Sequence, residues 1–318
     1  MIMHYAVLGS GAMGLRFGIL LQQSGQKVDF IDTWDRQVST ITKQGGVYVS
    51  RDGENRHLVL INITFPENYH GHPDAFIIFT KQMGLKAMLK RSAQLFDDQQ
   101  YAITLMNGMG HIEKINKYFK AEKVIAGTAM IGTVLNDAGD VDFIGKKGTG
   151  TIHLVNETEK PDKFTKQVVS EFKKAQLGPK LTTNFLGTLL TKVIYNSVVN
   201  TLCSMYKLKE GEFISASVST KLINRLINEA YHVCDLAGIE PLNSKEEEFN
   251  AIVHATRDVT PLHYPSMYQD ISKQRPTEVD YINGYLYDLG KKYHYNAQAH
   301  DFLRDLVHLA EHAEIVTQ

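Results

Sequence analysis

The sequence predicts an α/β fold in the N-terminal part of the chain and an all-α fold in the C-terminal part. Short apolar runs alternate with helical patterns up to about residue 181, and a glycine-rich turn joins the first strand to the first helix. Strand patterns almost vanish from about residue 184 onward. Because single cores stop growing near ~250–300 residues, a chain of 318 residues favours two domains, predicted at 1–181 and 182–318.

The elements predicted in the first domain alternate between strand and helix. Strands are predicted at 4–9, 27–32, 74–80 and 101–107, with helices at 12–24, 34–44, 81–96 and 163–176. Residues 47–62 are typical of a hairpin that turns at Asp52 and Gly53. This order indicates a parallel sheet with helices on both faces, which antiparallel strands within 124–155 are expected to close.

The second domain is predicted to consist of long helices. They cover roughly 185–206, 217–237, 243–257, 276–293 and 297–315. Pro276 favours the first turn of the fourth of these helices, where the helix dipole also favours the acids Glu278 and Asp280. That placement would explain both acids without a function, whereas a functional Glu278 would hydrogen-bond a cofactor or substrate. The pattern alone leaves both interpretations open.

Composition and charge argue against several classes of function. The net charge of −1 argues against nucleic acid as the main partner, because phosphate binding needs clustered lysines and arginines. No apolar run approaches the ~20 residues of a membrane span, and the N-terminus lacks the pattern of a signal peptide. Cys203 and Cys234 lie in apolar helical stretches typical of buried, reduced thiols, and no metal motif is present. We therefore expect a cytoplasmic protein without a nucleic-acid, membrane or metal partner.

The glycine-rich turn follows the first predicted strand and opens the first predicted helix. It has the pattern GxGxxG and consists of Gly9, Ser10, Gly11, Ala12, Met13 and Gly14. The first glycine permits a tight turn, the second lets backbone approach a pyrophosphate, and the third lets helix and strand pack closely. The helix N-terminus then favours the anion. We therefore predict a Rossmann-type dinucleotide-binding domain rather than a glycine-rich turn without a ligand.

Asp32 ends the second predicted strand. An acid at this position usually bonds the adenosine ribose hydroxyls and repels a 2′-phosphate, which favours NAD(H). Arg36 and Lys43 follow closely and could instead accept the phosphate of NADP(H). Two further polar residues, Lys81 and Asn107, each follow a predicted strand at the sheet edge that faces ligands in such folds. Each could equally be an ordinary loop residue.

Lys192, Asn196 and Asn200 are spaced four residues apart in an otherwise apolar helical segment. Residues at this spacing line one face of a helix. Buried polar groups need partners, and a ligand with a carboxylate and a carbonyl would supply them. A partly buried lysine also shifts its pKa readily, which suits a general acid. The alternative is an amphipathic helix with a polar stripe.

Taken together, the motifs resemble the ketopantoate reductase (2-dehydropantoate 2-reductase) family over nearly the whole chain. The resemblance rests on GSGAMG at 9–14, TKQ at 80–82, LMNGMG at 105–110, KxxxNxxxN at 192–200, HYPSMYQD at 263–270 and RPTEVDYINGYL at 275–286. It implies hydride transfer from a nicotinamide, NADP(H) in most of the family, to the C2 ketone of ketopantoate, giving pantoate for pantothenate synthesis. It also implies a homodimer as the expected assembly.

The resemblance also implies roles for individual residues. Lys192 would be the proton donor, and Glu278 would help to hold the cofactor and the active-site network. Substrate contacts would come from Asn107, Lys192, Asn196, Asn200 and Ser266. Cofactor contacts would come from the glycine-rich turn, Asp32, Lys81, Asn107 and Glu278.

Two residues depart from the family pattern and keep an alternative open. Glu210 replaces the usual asparagine in the segment after the lysine helix, where an acid could repel an anionic substrate or re-aim the pocket. Asp32 stands where a basic residue is common. Both departures resemble the branch of NADH-using D-2-hydroxyacid dehydrogenases, which reduce branched or aromatic 2-keto acids. An interpretation from a different class, a catalytically silent nucleotide sensor, is disfavoured because all the residues for proton chemistry are present.

Overall fold

The computed structural model describes residues 2–148 and 150–316. By contacts between Cα atoms, the chain forms two compact units. The first unit comprises Met1–Met106 and Gly110–Phe185, and the second comprises Asn107–Met109 and Leu186–Gln318. The functional division into a dinucleotide domain and a substrate domain at residue 182 stays a prediction.

The first unit contains the strands and five of the described helices. Its strands are β1 (His4–Leu8), β2 (Lys27–Ile31), β3 (Gly46–Arg51), β4 (Glu54–Leu60), β5 (Ile63–Thr64), β6 (Ala75–Ile78), β7 (Tyr101–Thr104), β8 (Val124–Met130), β9 (Thr133–Asp137), β10 (Asp140–Phe143), β11 (Thr151–Asn156) and β12 (Pro179–Leu181). Its helices are α1 (Ala12–Gln23), α2 (Asp35–Gln44), α3 (Gln82–Arg91), α4 (Ile112–Ile115) and α5 (Lys163–Lys174). The predicted alternation of strand and helix is therefore confirmed.

The main sheet has eight strands in the order β12-β11-β8-β7-β6-β1-β2-β5. The pairs that β1 forms with β2 and β6 are parallel, as are β6 with β7 and β7 with β8. This confirms the predicted parallel sheet. The register places the carboxyl ends of β1 and β2 side by side, Leu8 opposite Ile31, so the glycine-rich loop and Asp32 leave the sheet together.

The prediction that the 124–155 region closes this sheet is only partly right. β8 extends it and β11 pairs antiparallel with β8, but β9 and β10 join the β3–β4 hairpin in a separate four-stranded sheet. The buried guanidinium of Arg16 on α1 donates to the carbonyls of Gly132 (2.5 Å) and Ile144 (3.2 Å), which flank these two strands. This tertiary contact has no signature in local periodicity.

The core of the first unit lies around β1 and α1. Tyr5, Phe17 and Phe172 are fully buried, and the ring centroid of Phe172 lies 6.3 Å from that of Tyr5 and 5.9 Å from that of Phe17. Close packing requires a glycine in α1, since a Cβ at Gly18 would lie 2.4 Å from the ring of Phe30. Burial of these large apolar side chains fixes α1, and with it the loop before it, against the sheet.

The second unit is built from helices. They are α6 (Phe185–Met205), α7 (Glu210–Ser215), α8 (Ser219–Ala237), α9 (Lys245–His254), α10 (Ser266–Ser272), α11 (Asn283–Lys292) and α12 (Gln298–Val316). Cys203 and Cys234 are buried, free thiols on α6 and α8. Among residues 2–148 and 150–316, no helix is both long and apolar enough to cross a membrane.

The predicted helix at 276–293 is wrong in its first part. The segment at Pro276 is not helical, residues Val279–Tyr281 form a 3₁₀ turn, and α11 begins only at Asn283. The Thr277 N–H donates to Glu311 Oε1 on α12 at 2.6 Å, a tertiary bond that replaces a helical first turn. Pro276 and Glu278 therefore do not occupy the first turn of an α-helix, and that ordinary explanation for Glu278 is lost.

Candidate functional site

The glycine-rich loop in the first unit combines two tightly packed glycines with one open glycine. Gly9 has φ +96°, and a Cβ there would lie 2.8 Å from the backbone of Phe79. A Cβ on Gly14 would lie 2.0 Å from the Gly9 carbonyl oxygen. In contrast, a Cβ on Gly11 would meet none of the described atoms within 4 Å. Gly11 is also the N-cap of α1 and gives it no side-chain cap, so the open glycine lies where a phosphate would approach the helix N-terminus.

Asp32 lies just beyond β2 and is bound to the glycine-rich loop. Its Oδ2 accepts from the Ser10 N–H at 2.6 Å, and its Oδ1 accepts from the N–H groups of Thr33 (2.7 Å) and Trp34 (2.9 Å). Burial raises the pKa of Asp32, although the three backbone hydrogen bonds oppose this shift. The carboxylate is therefore held in one orientation beside the loop.

Two side chains of α2 lie near Asp32 in sequence: Arg36 forms an exposed ion pair, and Gln37 is buried against the glycine-rich loop. Arg36 Nη2 contacts Asp137 Oδ2 at 2.6 Å, so this candidate phosphate ligand already has an acidic partner. Gln37 is fully buried; its Nε2 donates to the Ser10 carbonyl at 2.6 Å, and its Oε1 accepts from the Gly139 N–H at 2.9 Å. No sequence pattern pointed to Gln37, because its role depends on burial.

Lys81 is exposed and immediately precedes α3. The backbone next to it is close to the glycine-rich loop, since a Cβ on Gly9 would lie 3.0 Å from the Thr80 nitrogen. The following side chain, Gln82, is buried and lies 3.2 Å from Nδ1 of the fully buried His111. This contact fixes the start of α3, and with it the backbone of Lys81.

Lys192 lies on α6 in the second unit, within a largely buried stretch of that helix. Its side chain is half-buried, and its Nζ lies 4.7 Å from the centre of the Tyr195 ring. Burial lowers the pKa of Lys192 to about 8, against an opposing effect of the charges of Glu210 and Glu248. Such a lysine is protonated at neutral pH yet gives up its proton far more readily than a lysine in water.

The two acids near Lys192 are themselves buried. Thr260 Oγ1 donates to Oε2 of Glu210 at 2.5 Å, and Asn243 Nδ2 donates to Oε2 of Glu248 at 2.7 Å. Burial raises the pKa of each carboxyl to about 7, against the opposing effects of its hydrogen bond and of Lys192. The sequence singled out Glu210 but not Glu248, which lies in an acidic run typical of a helix start.

The amides predicted to bind substrate lie close to other predicted site residues. Asn196 Nδ2 is 3.4 Å from Asn107 Oδ1, and Asn200 Nδ2 is 3.5 Å from Ser266 Oγ. Both amides of α6 are buried, although these contacts are at the long end of hydrogen-bond distances. The structure thus brings together Asn107, Asn196, Asn200 and Ser266 along the face of α6 that carries Lys192.

Glu278 is buried and immediately precedes the 3₁₀ turn. The carbonyl of Tyr281 in that turn accepts from the Met109 N–H at 2.9 Å. Because Met109 belongs to the short segment that carries Asn107, this bond connects two of the predicted ligand-binding segments. In the second unit, polar contacts thus join the Asn107 segment to α6 and to the turn after Glu278, and join α6 to Ser266.

Comparison with known proteins finds that two models of one family match the chain. Residues 5–156 match "Ketopantoate reductase PanE/ApbA", and residues 184–311 match "Ketopantoate reductase PanE/ApbA C terminal". The 2-dehydropantoate 2-reductase of Lactococcus lactis subsp. lactis (strain IL1403) is 31% identical over 314 residues, which cover 97% of this chain and 98% of that protein. That of Streptococcus pyogenes serotype M18 (strain MGAS8232) is 29% identical over 306 residues, or 96% and 97% of the two chains.

A solved structure of similar identity comes from an enzyme with another name. D-mandelate dehydrogenase in a ternary structure with NADH and anilino(oxo)acetate is 31% identical and superposes with a TM-score of 0.92. The match covers 98% of this chain and 100% of that one. This dehydrogenase therefore shares the fold along nearly the whole chain, and the reductases match the sequence over nearly the same length.

Proposed function

The chain belongs to the ketopantoate reductase family, and on that premise we propose that it is a 2-dehydropantoate 2-reductase, which reduces the C2 ketone of ketopantoate with a nicotinamide dinucleotide. The observation that carries the proposal is the environment of Lys192. A lysine with a pKa of about 8, on a helix face with two buried amides, has the chemistry of a proton donor to a carbonyl oxygen.

The residues of the first unit fit a dinucleotide. The loop of residues 9–14 offers an uncapped helix N-terminus and an open glycine, and Asp32 offers a fixed carboxylate to ribose hydroxyls. In this proposal Lys81, Asn107 and Glu278 also contact the cofactor. When bound, the reduced nicotinamide supplies the hydride.

Lys192 is suited to the negative charge that hydride addition places on the carbonyl oxygen of the substrate. As the C2 carbonyl becomes an alkoxide, the Lys192 ammonium stabilises the negative oxygen and then donates its proton to it. Asn196, Asn200 and Ser266 hold the substrate with neutral hydrogen-bonding groups, and Asn107 contacts both ligands. Because burial lowers the pKa of Lys192 to about 8, the proton transfer is easier than from an ordinary lysine.

Asp32 supports NADH as the preferred cofactor. Its carboxylate is fixed by three backbone N–H groups, so it cannot turn away from a 2′-phosphate without breaking them. Arg36, the candidate ligand for that phosphate, contacts Asp137 instead. Like-charge repulsion in this geometry costs NADPH affinity but leaves the ribose hydroxyls of NADH as hydrogen-bond donors.

A second candidate is an NADH-dependent D-2-hydroxyacid dehydrogenase that acts on branched or aromatic 2-keto acids. Asp32 and the buried Glu210 favour it, and so does the likeness to D-mandelate dehydrogenase. Glu210 replaces a neutral amide by a carboxyl whose pKa burial raises to about 7, which changes the polarity offered to a substrate side chain. Both candidates use Lys192 in the same role.

The test is oxidation of NADH and NADPH, each measured with ketopantoate and with a panel of branched and aromatic 2-keto acids. Highest kcat/KM with ketopantoate supports the reductase. Preference for NADH with bulky 2-keto acids supports the dehydrogenase. No turnover with any pair, combined with tight cofactor binding, contradicts both and points to a nucleotide sensor.

We also propose a cytoplasmic homodimer. Free, buried cysteines fit a reducing compartment, and α12 exposes Phe302 and Leu309, two large apolar side chains on one helix face. Light scattering should give twice the mass of the 35.8 kDa chain. A monomeric mass would contradict the proposed assembly without affecting the proposed reaction.

A further inference from the structure

The segment that carries Glu278 has little regular structure of its own. It runs from the end of α10 at Ser272 to the start of α11 at Asn283, and it contains only the short 3₁₀ turn. Irregular backbone needs hydrogen-bond partners from elsewhere. Other elements of the second unit supply these partners, and they do so on both sides of Glu278.

Two side chains of α12 contact the residues that flank Glu278. Glu311 Oε1 accepts from the Thr277 N–H at 2.6 Å, and His308 Nε2 lies 3.0 Å from Asp280 Oδ1. The two side chains also contact each other, with His308 Nδ1 2.9 Å from Glu311 Oε2. One connected group of side chains thus holds the backbone before Glu278 and the side chain two residues after it.

The charge of His308 fits this arrangement. Both of its ring nitrogens face carboxylate oxygens, so both must donate, which requires the protonated ring. Burial lowers the pKa of His308, but hydrogen bonds to Glu311 and Asp280 and their charges outweigh this and raise it above its usual value. The His308 and Asp280 side chains are 43% and 59% exposed, so their ion pair adds little to global stability. Instead, the ion pair restricts the position of the segment that carries Glu278.

The other end of the segment is held by buried groups. The Tyr281 carbonyl accepts from Met109 at 2.9 Å, and Asn283 Nδ2 donates to the Ser197 carbonyl of α6 at 3.1 Å. Asn283 Nδ2 also lies 3.3 Å from Nδ1 of the fully buried His300, whose pKa burial lowers to about 4. This end is therefore fixed in the core. The end before Glu278 is held by α12 and, further upstream, by Arg275, whose Nη2 lies 2.9 Å from Oδ1 of the buried Asp270 on α10.

We propose that His308 and Glu311 are positioning residues for the reaction: by holding Asp280 and Thr277, they keep Glu278 in the orientation in which it serves the cofactor and the active-site network. The inference rests on the proposed function of Glu278. His308 and Glu311 act through Glu278 and are not themselves catalytic residues.

The test compares His308→Ala with a matched control, His312→Ala, which removes an exposed histidine one turn further along α12. Because a small misplacement of a catalytic group can cost about 100-fold, we expect His308→Ala to lower kcat/KM by about 10- to 100-fold. The thermal midpoints of the two variants should stay close together. His308→Arg, which can donate to both carboxylates, should restore most of the activity, and Glu311→Gln, which keeps an oxygen for Thr277 but loses the ion pair, should show an intermediate loss.

A double-mutant cycle with Glu278→Gln separates positioning from a general structural role. If His308 acts through Glu278, the double variant loses no more kcat/KM than Glu278→Gln alone. If the fold-losses of kcat/KM in the two single variants multiply in the double variant, the inference is overturned. It is also overturned if His308→Ala has the same kcat/KM as His312→Ala. If Glu278→Gln has no effect of its own, the inference fails as well.

Cofactor affinity, measured by NADH fluorescence, gives the same cycle a readout that needs no turnover. Should the wild-type protein fail to reduce any 2-keto acid, the proposed function fails. The positioning claim is then decided by whether His308→Ala and Glu278→Gln weaken NADH binding non-additively. Additive or absent effects on binding overturn the claim.

Discussion

The candidate site of the first unit is built mainly from backbone groups, whereas the candidate site of the second unit is built mainly from side chains. The glycine-rich loop of the first unit uses backbone: two glycines allow close packing, the helix N-terminus lacks a side-chain cap, and backbone N–H groups fix Asp32. The Lys192 site of the second unit uses side chains, with three buried or half-buried ionisable groups whose pKa values lie near neutrality. One site is thus suited to hold a fixed anion, and the other to move a proton.

This contrast predicts that substitutions in the two sites affect different steps. Changes in the first unit should alter which cofactor binds. Changes near Lys192 should alter turnover and its pH dependence. Three substitutions test the contrast, and a fourth tests the effect of burying Glu248 on stability.

Lys192→Ala should have the largest effect. Loss of a general acid typically costs 10²- to 10⁴-fold, so we expect kcat to fall by about 1,000-fold, while cofactor affinity changes little. Lys192→Arg is the matched variant, because it keeps the positive charge but cannot release a proton. Steady-state kinetics and NADH fluorescence measure the two quantities. Equal losses of kcat and cofactor affinity would remove Lys192 from the proton-transfer step.

Asp32→Ala should change the cofactor preference. Removal of a fixed carboxylate from beside a 2′-phosphate should raise the ratio of NADPH to NADH kcat/KM by about tenfold or more. Asp35→Ala is the control, because Asp35 is an exposed acid three residues further along the chain. An unchanged ratio in Asp32→Ala would mean that Asp32 does not face the ribose.

Glu210→Gln should shift the pH profile. The ionised Glu210 carboxylate raises the pKa of Lys192, so its removal should lower that pKa and move the alkaline loss of activity to lower pH. Glu212→Gln, at an exposed acid of the same helix, should leave the profile in place. A shift to higher pH would contradict the charge coupling between Glu210 and Lys192.

Glu248→Gln should have the smallest effect, on stability. Burial raises the folded-state pKa of Glu248 to about 7 from its usual 4.5, so its contribution to stability is fully present below pH 4.5 and is lost as the pH rises through 7. Glutamine does not ionise, so Glu248→Gln removes this loss of stability at high pH. The substitution should therefore raise the thermal midpoint more at pH 8 than at pH 5. Thermal unfolding at both pH values checks this, and a larger gain at pH 5 would contradict it.

The same contrast explains what could be predicted from sequence. The loop at 9–14 and the Lys192 stripe follow from local rules, a glycine pattern and a helical period, and the structure has both on the predicted elements. The pairing of β9 and β10 with the hairpin, the non-helical segment at Pro276 and the burial of Gln37 and Glu248 depend on residues distant in sequence. Periodicity within a window carries no information about such partners.

The central claim is that Lys192 donates a proton with a pKa tuned by burial. The most direct test is the pH dependence of kcat/KM, which reports the pKa of groups in the free enzyme, for the wild-type protein in both directions. For keto acid reduction, activity should fall as the pH rises through about 8, because Lys192 loses its proton there. For oxidation of the 2-hydroxy acid, activity should rise over the same range. The account would be contradicted if the reduction activity stayed constant up to pH 10. It would also be contradicted if the fall in reduction and the rise in oxidation did not occur over the same pH range.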